Sequence, residues 1–506
     1  MEVKITRHNQ SERINRFSHK QFSTRLAKLP PRVIMFITFA GMSIINYGFG
    51  LAAGWLLVPG DFGLLAFVQT VLTITGLVLN SGFAWSLTAA LVGASETDRA
   101  GLVRGALISN LLLALVMNIL ILLFYILGPL KPGLESWPVT VLVMGTLPLL
   151  SFIAIARATV QGSERFGALA TLWLLETGTK AVAGIGLVKA GYGAIGAIAG
   201  FFIGSLVAAL IGLWYLVVVL KILPFGSILR TAFNKAGAMF GAILGMALLL
   251  NLDMVALKLF SQADRAAVGR YQAGTILANT PYYLLTATIP VIFTQISGLK
   301  KISQSASIVG ETFQLALIVL LPLEGLLALF PELFLRLLFP LSYLAGASTL
   351  RILALGNASI ILVAILSTAF QATGNASIPG RAILAITFCE AICLKVIIPG
   401  WHSLGAASVF LTATSMTGLV LGACYLQNLN KTRLQKAIDW LKRYGISIGL
   451  GFISGWITLT FIKNSWFAMG IGGSLYLIAI YWLKLFPLSS FIRQTAASPV
   501  PVVKEE

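Results

Sequence analysis

The sequence predicts an all-α polytopic membrane protein with about 14 transmembrane helices: two six-helix lobes that repeat one another, followed by two C-terminal helices. Three observations support this prediction. Hydrophobic residues make up 58% of the 506 residues and charged residues only 10%, against about 25% charged in soluble proteins. The apolar residues fall into runs of about 20, the length that crosses the hydrocarbon layer as a helix. The third observation is an internal repeat.

Three pairs of similar segments indicate a duplicated half of about two hundred residues. LVPGDFGLLAFVQT at 57–70 resembles SQADRAAVGRYQAGT at 261–275, and GYGAIGAIAG at 191–200 resembles GWHSLGAASV at 400–409. The matched residues are Gly63 with Gly269 (269 − 63 = 206), Gly191 with Gly400 (400 − 191 = 209) and Gln161 with Gln371 (371 − 161 = 210). Chance matching of glycines in an apolar chain is the alternative.

Residues 1–32 form a basic cytoplasmic tail that carries eight Lys or Arg and two Glu. Its apolar residues recur at helical spacing among the basic ones, which is typical of a short helix on an anionic membrane surface. A disordered tail is the alternative. No signal peptide is expected, because no small-residue cleavage site follows the first apolar run.

Apolar runs then divide the chain. The first lobe, 33–220, contains runs at about 33–57, 62–83, 103–128, 139–160, 166–189 and 194–220. A cytoplasmic linker at 221–235 precedes the second lobe, 236–427, with runs at about 236–260, 267–295, 308–335, 348–372, 377–399 and 404–427. The remaining segments are a basic cytoplasmic loop at 428–444, an extra helix pair at 445–486 and a cytoplasmic C-terminal tail at 487–506.

The net charge of +19 would suggest a nucleic-acid partner in a soluble protein. Here the basic residues lie mainly in the tail and in alternate short loops, including those with Arg99, Arg165 and Lys300. The positive-inside rule therefore predicts a multi-pass protein with both termini in the cytoplasm, and no nucleic-acid partner. Because each lobe has six helices, both lobes start on the same side, as parallel repeats.

Ionisable residues inside the runs are candidates for function, because a charge in hydrocarbon is costly and usually faces protein or a water-filled cavity. Asp253, Lys258 and Arg270 lie around the second polar break. We expect Asp253 to pair across helices, with Arg270 as the candidate partner. A cavity lining and a structural interhelix network are the two interpretations, and Lys258 is expected to extend toward the interface.

Glu176 and Lys180 are spaced i to i+4, which fits an ion pair on one helix face. Glu390 and Lys395 resemble this pair at i to i+5. Such a pair is either structural or supplies a carboxylate that couples transport to protons or sodium. The coupling candidates are therefore Glu176, Lys180 and Glu390.

Four further ionisable residues lie in the runs: Arg157, Glu311, Glu324 and Arg351. For Arg157 and Arg351, holding a phosphate competes with anchoring at the interface, which is the commoner role at such positions. Glu324 follows Pro322, where a helix kink would free a backbone carbonyl.

The sequence lacks the motifs GxxxxGK[ST] and HExxH, so we expect a transporter and not an enzyme. The three cysteines lie in apolar runs and the three histidines form no cluster, so no disulfide, metal or other cofactor is expected. A membrane-embedded glycan ligase or polymerase would need a large outer loop, and the longest ones, near 129–138 and 336–347, are short.

Four segments resemble the polysaccharide transporter family, the Wzx-type flippases of lipid-linked O-antigen units. The break at 57–70 is similar to that family's L-G-P-x-D-F-G turn, and ARATVQGSERFGALA at 156–170 is similar to its fourth-to-fifth helix connection. Residues 251–277, with an Asp before V-G-x-Y-x-A, and residues 350–380 fit two later helix regions. The resemblance covers about 33–427, and it marks the superfamily of flippases and drug/cation antiporters more than the substrate.

The resemblance implies two six-helix lobes around a cavity that opens alternately inward and outward. The first two helices of each lobe would line it, and the candidate substrate-binding residues are Asn46, Tyr47, Gln69, Asn80, Asp253, Arg270, Gln272 and Asn279. Flippases of this kind carry cationic cavity groups that suit a lipid pyrophosphate. The first two helices of this chain have no interior Lys or Arg, and the lipid II flippase branch is disfavoured because arginine-rich early helices are missing.

The expected function is a flippase in the bacterial inner membrane that translocates an undecaprenyl-pyrophosphate-linked oligosaccharide, an O-antigen or exopolysaccharide repeat unit. The alternative is a cation-coupled multidrug or metabolite antiporter of the same superfamily, in which a buried carboxylate is the dominant charge. Expected partners are the lipid-linked oligosaccharide, membrane lipid, and a polysaccharide polymerase or other assembly proteins.

Overall fold

The computed structural model describes residues 30–222, 237–261, 265–286, 288–297, 299, 302–429 and 465–482, and isolated positions between 430 and 464. Every element within these residues is helical. Several predicted segments lie wholly or mostly outside the described residues: the basic tail, the linker at 221–235, the loop at 428–444, the first helix of the extra pair and the C-terminal tail.

Residues up to Ala247 belong to one compact unit. Its helices are α1 (Pro31–Leu56), α2 (Pro59–Ser81), α3 (Phe83–Leu91), α4 (Glu96–Ile126), α5 (Lys131–Leu134), α6 (Trp137–Gly162), α7 (Phe166–Leu187), α8 (Gly193–Trp214) and most of α9 (Gly237–Leu249). π-Helical turns follow α7 at Val188–Tyr192 and α8 at Tyr215–Val219.

Residues from Leu248 belong to a second compact unit. Its helices are α10 (Leu252–Phe260), α11 (Arg265–Thr286), α12 (Ile289–Ile296), α13 (Ala306–Leu315), α14 (Leu321–Leu329), α15 (Pro331–Leu338), α16 (Ala347–Ala372), α17 (Ser377–Leu426) and α18 (Ser465–Trp482). A π-helical turn at Ala316–Leu320 joins α13 to α14, and 3₁₀ turns lie at Ile302–Ser305 and Leu341–Gly346.

Eight helical stretches of the described chain are long and apolar enough to cross a membrane, and α9 with α10 adds a ninth if they form one span bent by 46°. Two of the eight, Phe166–Val219 and Ser377–Leu426, have 54 and 50 residues, so each contains two predicted apolar runs. The all-helical, multi-pass class is as predicted. The count of about 14 spans remains a prediction.

The two predicted polar breaks are helix boundaries. α1 ends at Leu56 and α2 begins at Pro59, because the first position of a helix tolerates a residue without an N–H. The second break separates α10 from α11. The run at 236–260, in contrast, is divided between Leu249 and Leu252, where the chain bends.

The backbone repeats an unusual conformation at the interval that the sequence repeat predicts. Gly193 has φ 52° and ψ −142°, and His402 has φ 47° and ψ −128°. These residues are 209 positions apart (402 − 193 = 209), the same offset as Gly191 and Gly400. Each one lies where the chain turns between two apolar runs. This agreement supports a duplicated half.

α8 approaches α7 closely through glycines. A Cβ atom on Gly200 would lie 2.6 Å from Cα of Gly184, and one on Gly204 would lie 2.7 Å from the carbonyl oxygen of Glu176. Only glycine allows the two backbones to come so near. This packing fixes where α7 carries Glu176 and Lys180.

Candidate functional site

Glu176 of α7 forms an ion pair with Arg157 of α6, and both side chains are largely buried. The Arg157 guanidinium also lies 3.5 Å from the ring centroid of Trp173, and Ser205 donates to the second carboxylate oxygen of Glu176 at 3.4 Å. The expected ion pair between Glu176 and Lys180 is therefore wrong. One terminal guanidinium nitrogen of Arg157, on the adjacent helix, reaches the carboxylate directly, and buried Arg157 is not an interface anchor.

The Lys180 ammonium makes its hydrogen bond to a different helix, α1. It donates to Oδ1 of Asn46. It also lies 5.5 Å from the ring centroid of Phe49 and 4.8 Å from that of Phe201, within the range of cation–π attraction. An ammonium carries three N–H donors, and the Asn46 contact uses one of them. The side chain is half-buried, so this cation is held by the protein without being sealed inside it.

The three other candidate substrate-binding residues of this unit lie on α1 and α2. Tyr47 and Gln69 are half-buried on α1 and α2. Asn80 turns its amide back onto its own helix, donating to the Gly76 carbonyl at 2.7 Å. The structure thus brings Asn46 and Lys180 together, with Glu176 on the same face of α7 as Lys180.

In the second unit, Asp253 of α10 accepts a hydrogen bond from the Tyr271 hydroxyl of α11 and one from the Met254 backbone N–H at 2.7 Å. Asp253 does contact the next helix, but through Tyr271 and not through the expected Arg270. Neighbouring residues on a helix point about 100° apart, so only one of the two can face α10. Lys258 is buried, contrary to the expectation that it extends outward.

Glu390 of α17 completes an acidic cluster with Asp253 and Tyr271. Its side chain is 2% exposed, and its carboxyl group lies within electrostatic range of the Asp253 carboxyl group and the Tyr271 hydroxyl. Neither carboxylate oxygen has a hydrogen-bond partner within the described chain. Thr387, one turn earlier on α17, also buries a hydroxyl that has no partner there. The cluster is rich in oxygen acceptors.

Three remaining candidates lie on α11. Arg270, Gln272 and Asn279 are half-buried, and Asn279 hydrogen-bonds with Tyr283. The backbone of Arg270 packs against Gly346, where an added Cβ would lie 3.0 Å from the Arg270 carbonyl oxygen.

The offset of the predicted repeat relates the contact between Lys180 and Asn46 to the acidic cluster of the second unit. Asn46 corresponds to Asp253 (253 − 46 = 207), and Lys180 corresponds to Glu390 (390 − 180 = 210), within the offsets found for the glycines and glutamines. The predicted repeat thus pairs polar positions of different chemistry: an amide and an ammonium in the first unit, two carboxyl groups in the second. Sequence reasoning missed Tyr271, because a tyrosine in an apolar helix carries no charge signal.

Comparisons with known proteins agree with this architecture. Residues 33–300 match the family model described as polysaccharide biosynthesis protein. A search of curated protein sequences gives no significant match.

Among solved structures, the lipid II flippase MurJ in an inward-closed conformation matches with a TM-score of 0.69 and 15% identity, over 92% of this chain and 99% of that one. An inward-facing multidrug resistance MATE family transporter of the MOP superfamily has a TM-score of 0.59 and 14% identity, covering 79% and 96%. A MOP superfamily transporter from Pyrococcus furiosus has a TM-score of 0.55 and 17% identity, covering 82% and 98%. At these identities the likeness concerns the fold.

Proposed function

The chain belongs to the polysaccharide biosynthesis protein family, and from this premise we propose that it is a flippase for an undecaprenyl-pyrophosphate-linked oligosaccharide. The cargo is an O-antigen or exopolysaccharide repeat unit, which crosses the bacterial inner membrane by alternating access. Both termini lie in the cytoplasm, and a polysaccharide polymerase or another assembly protein receives the product.

The contact between Lys180 and Asn46 carries this proposal. A pyrophosphate needs a cation at membrane depth, and the first two helices have no interior Lys or Arg. α7 supplies that cation and places it against α1. The ring faces of Phe49 and Phe201 hold the ammonium, and two of its N–H donors remain for phosphate oxygens.

The acidic cluster favours a second candidate, the cation-coupled antiporter of small molecules. Asp253 and Glu390 are the kind of buried carboxyl groups that bind a coupling ion. In a flippase the same cluster is the coupling site, with Glu390 as its central group. In an antiporter it is the dominant charge of the transport path, and Lys180 is dispensable.

Translocation of a fluorescent polyprenyl-pyrophosphate disaccharide in proteoliposomes tests the proposal, with quenching from outside as the readout. We expect Lys180→Met to lower the rate at least tenfold, because the ion-to-phosphate bonds are worth about 1.5–3 kcal/mol. Lys180→Arg should retain part of the rate. Lys189→Met is the matched control, since Lys189 is exposed in the turn after α7.

Two outcomes would overturn the proposal. Equal rates in Lys180→Met and wild type would remove the phosphate contact. Protein that flips no lipid but exports a cationic dye under a proton or sodium gradient would establish the antiporter.

A further inference from the structure

The π-helical turn at Ala316–Leu320 joins α13 to α14 and ends two positions before Pro322. Within Ala316–Leu320 the hydrogen bonding shifts, and the Leu321 N–H bonds five residues back to the Ala316 carbonyl. In an α-helix the Ile318 carbonyl would accept from residue 322, but Pro322 has no N–H. The Leu317 carbonyl loses the Leu321 N–H to Ala316. Two backbone acceptors are thus released, as the sequence predicts for a kink at Pro322.

A side chain from the C-terminal helix reaches these acceptors. The Tyr476 hydroxyl of α18 lies 2.9 Å from the Ile318 carbonyl oxygen and 3.4 Å from that of Leu317. Released carbonyls within the hydrocarbon layer need a donor from protein, because water is scarce there. One hydroxyl hydrogen therefore takes the place of the missing proline amide.

The surrounding packing fixes this hydroxyl. Tyr476 is 8% exposed and forms a buried cluster with Leu317, Ile318 and Ile480. Phe313 and Leu321 pack against the same cluster. α18 therefore docks on the bend itself, with its polar group on the released carbonyls and its apolar groups around them.

The bend determines where α14 carries Glu324. This residue lies two positions after Pro322, is 1% exposed, and has no hydrogen-bond partner for either carboxylate oxygen among the described residues. α14 has only nine residues, and its far end is also held by a side chain, since Arg351 Nε donates to the Ala328 carbonyl at 3.0 Å. Other helices thus hold this short helix at both ends.

We propose that Tyr476 is a positioning residue for transport: α18 fixes the bend at Pro322 and thereby sets the position of Glu324. α18 then belongs to the transport machinery of the second unit. This role does not depend on the identity of the cargo.

A hydrophobic carbodiimide provides a probe, because it modifies carboxyl groups within membranes. The full-length protein in liposomes is labelled, and the modified fraction of Glu324 and Glu390 is followed by mass spectrometry. We expect Tyr476→Phe, which keeps the ring and its packing, to change the labelling rate of Glu324 roughly three- to tenfold. This factor corresponds to the free energy of one interhelix hydrogen bond in a membrane. Glu390 is the internal control, and Tyr481→Phe, at an exposed tyrosine of α18, is the matched control.

A second variant tests the mechanism. Pro322→Ala restores an N–H for the Ile318 carbonyl, so Tyr476→Phe should have little further effect in that background. The transport rate should follow the same pattern. Unchanged Glu324 labelling in Tyr476→Phe, or an equal effect with and without Pro322, would overturn the proposal. Since labelling needs no cargo, failure here is distinguishable from failure of the flippase assignment.

Discussion

His402 adopts the backbone conformation of Gly193, although His402 carries a side chain. For a residue with a Cβ atom, this conformation costs on the order of 1–3 kcal/mol. The first half of the chain avoids that strain with glycine. The second half retains it, with the His402 ring nitrogen Nδ1 at 3.5 Å from the Ser261 hydroxyl at the end of α10.

Substitutions at these two positions should have opposite effects on stability. We expect His402→Gly to raise the free energy of unfolding by about 1 kcal/mol, because the released strain exceeds the loss of one long hydrogen bond. Gly193→Ala should lower it by about 1–3 kcal/mol. Thermal unfolding in detergent measures both. A destabilised His402→Gly would show that the Ser261 contact outweighs the strain.

Replacing Arg157 alone should destabilise the protein strongly, whereas replacing Arg157 and Glu176 together should cost much less stability. Arg157→Met leaves a buried carboxylate without its partner, which costs about 3–5 kcal/mol. The double variant Arg157→Met/Glu176→Gln should recover most of that loss. Arg165→Met, at an exposed arginine that contacts Tyr215, should cost under about 1 kcal/mol. Equal losses in the single and double variants would contradict this account of the pair.

Gly204 should tolerate no side chain. A Cβ atom there would lie 2.7 Å from the Glu176 carbonyl oxygen and 2.9 Å from the Lys180 backbone nitrogen. Gly204→Ala should therefore displace α7, cost about 1–3 kcal/mol and reduce flipping, because Lys180 moves away from Asn46. Gly186→Ala on α7, where no atom lies within 4 Å of an added Cβ, is the control. Full stability and flipping in Gly204→Ala would refute the close-packing argument.

Glu390→Gln tests the proposed coupling site. The amide has the shape of the carboxyl group but cannot ionise, so we expect transport that no longer responds to an imposed proton or sodium gradient. Burying a neutral group is also cheaper, so the unfolding temperature should stay the same or rise. Glu332→Gln, at an exposed glutamate of α15, is the control for charge alone. A gradient response that persists in Glu390→Gln would assign coupling to another group.

The sequence determines the class of the fold through quantities that need no tertiary contact. Apolar runs, the break before Pro59 and the repeat offsets all depend on local chemistry, and the structure shows helices that begin and end there. The partner of Glu176 could not be read in the same way. Arg157 and Glu176 lie on different helices, so their contact depends on how α6 packs against α7.

The hydrogen-bond partner of Asp253 was mispredicted for the same reason, because it depends on how two helices pack. Charge alone favoured Arg270, and only the rotation of α11 decides that Tyr271 faces α10. The prediction that Pro322 frees a carbonyl succeeded because proline acts on its own helix. That the donor comes from Tyr476, far along the chain, required the docking of α18.

The different chemistry of the two polar clusters has an electrical consequence. A transmembrane voltage acts on every charge within the hydrocarbon layer, with about 2.3 kcal/mol for one elementary charge moved through 100 mV. The ammonium of Lys180 and an ionised Asp253 or Glu390 experience that voltage with opposite sign. A conformational change that moved both groups in the same direction along the membrane normal would therefore be favoured by the voltage through one charge and opposed through the other.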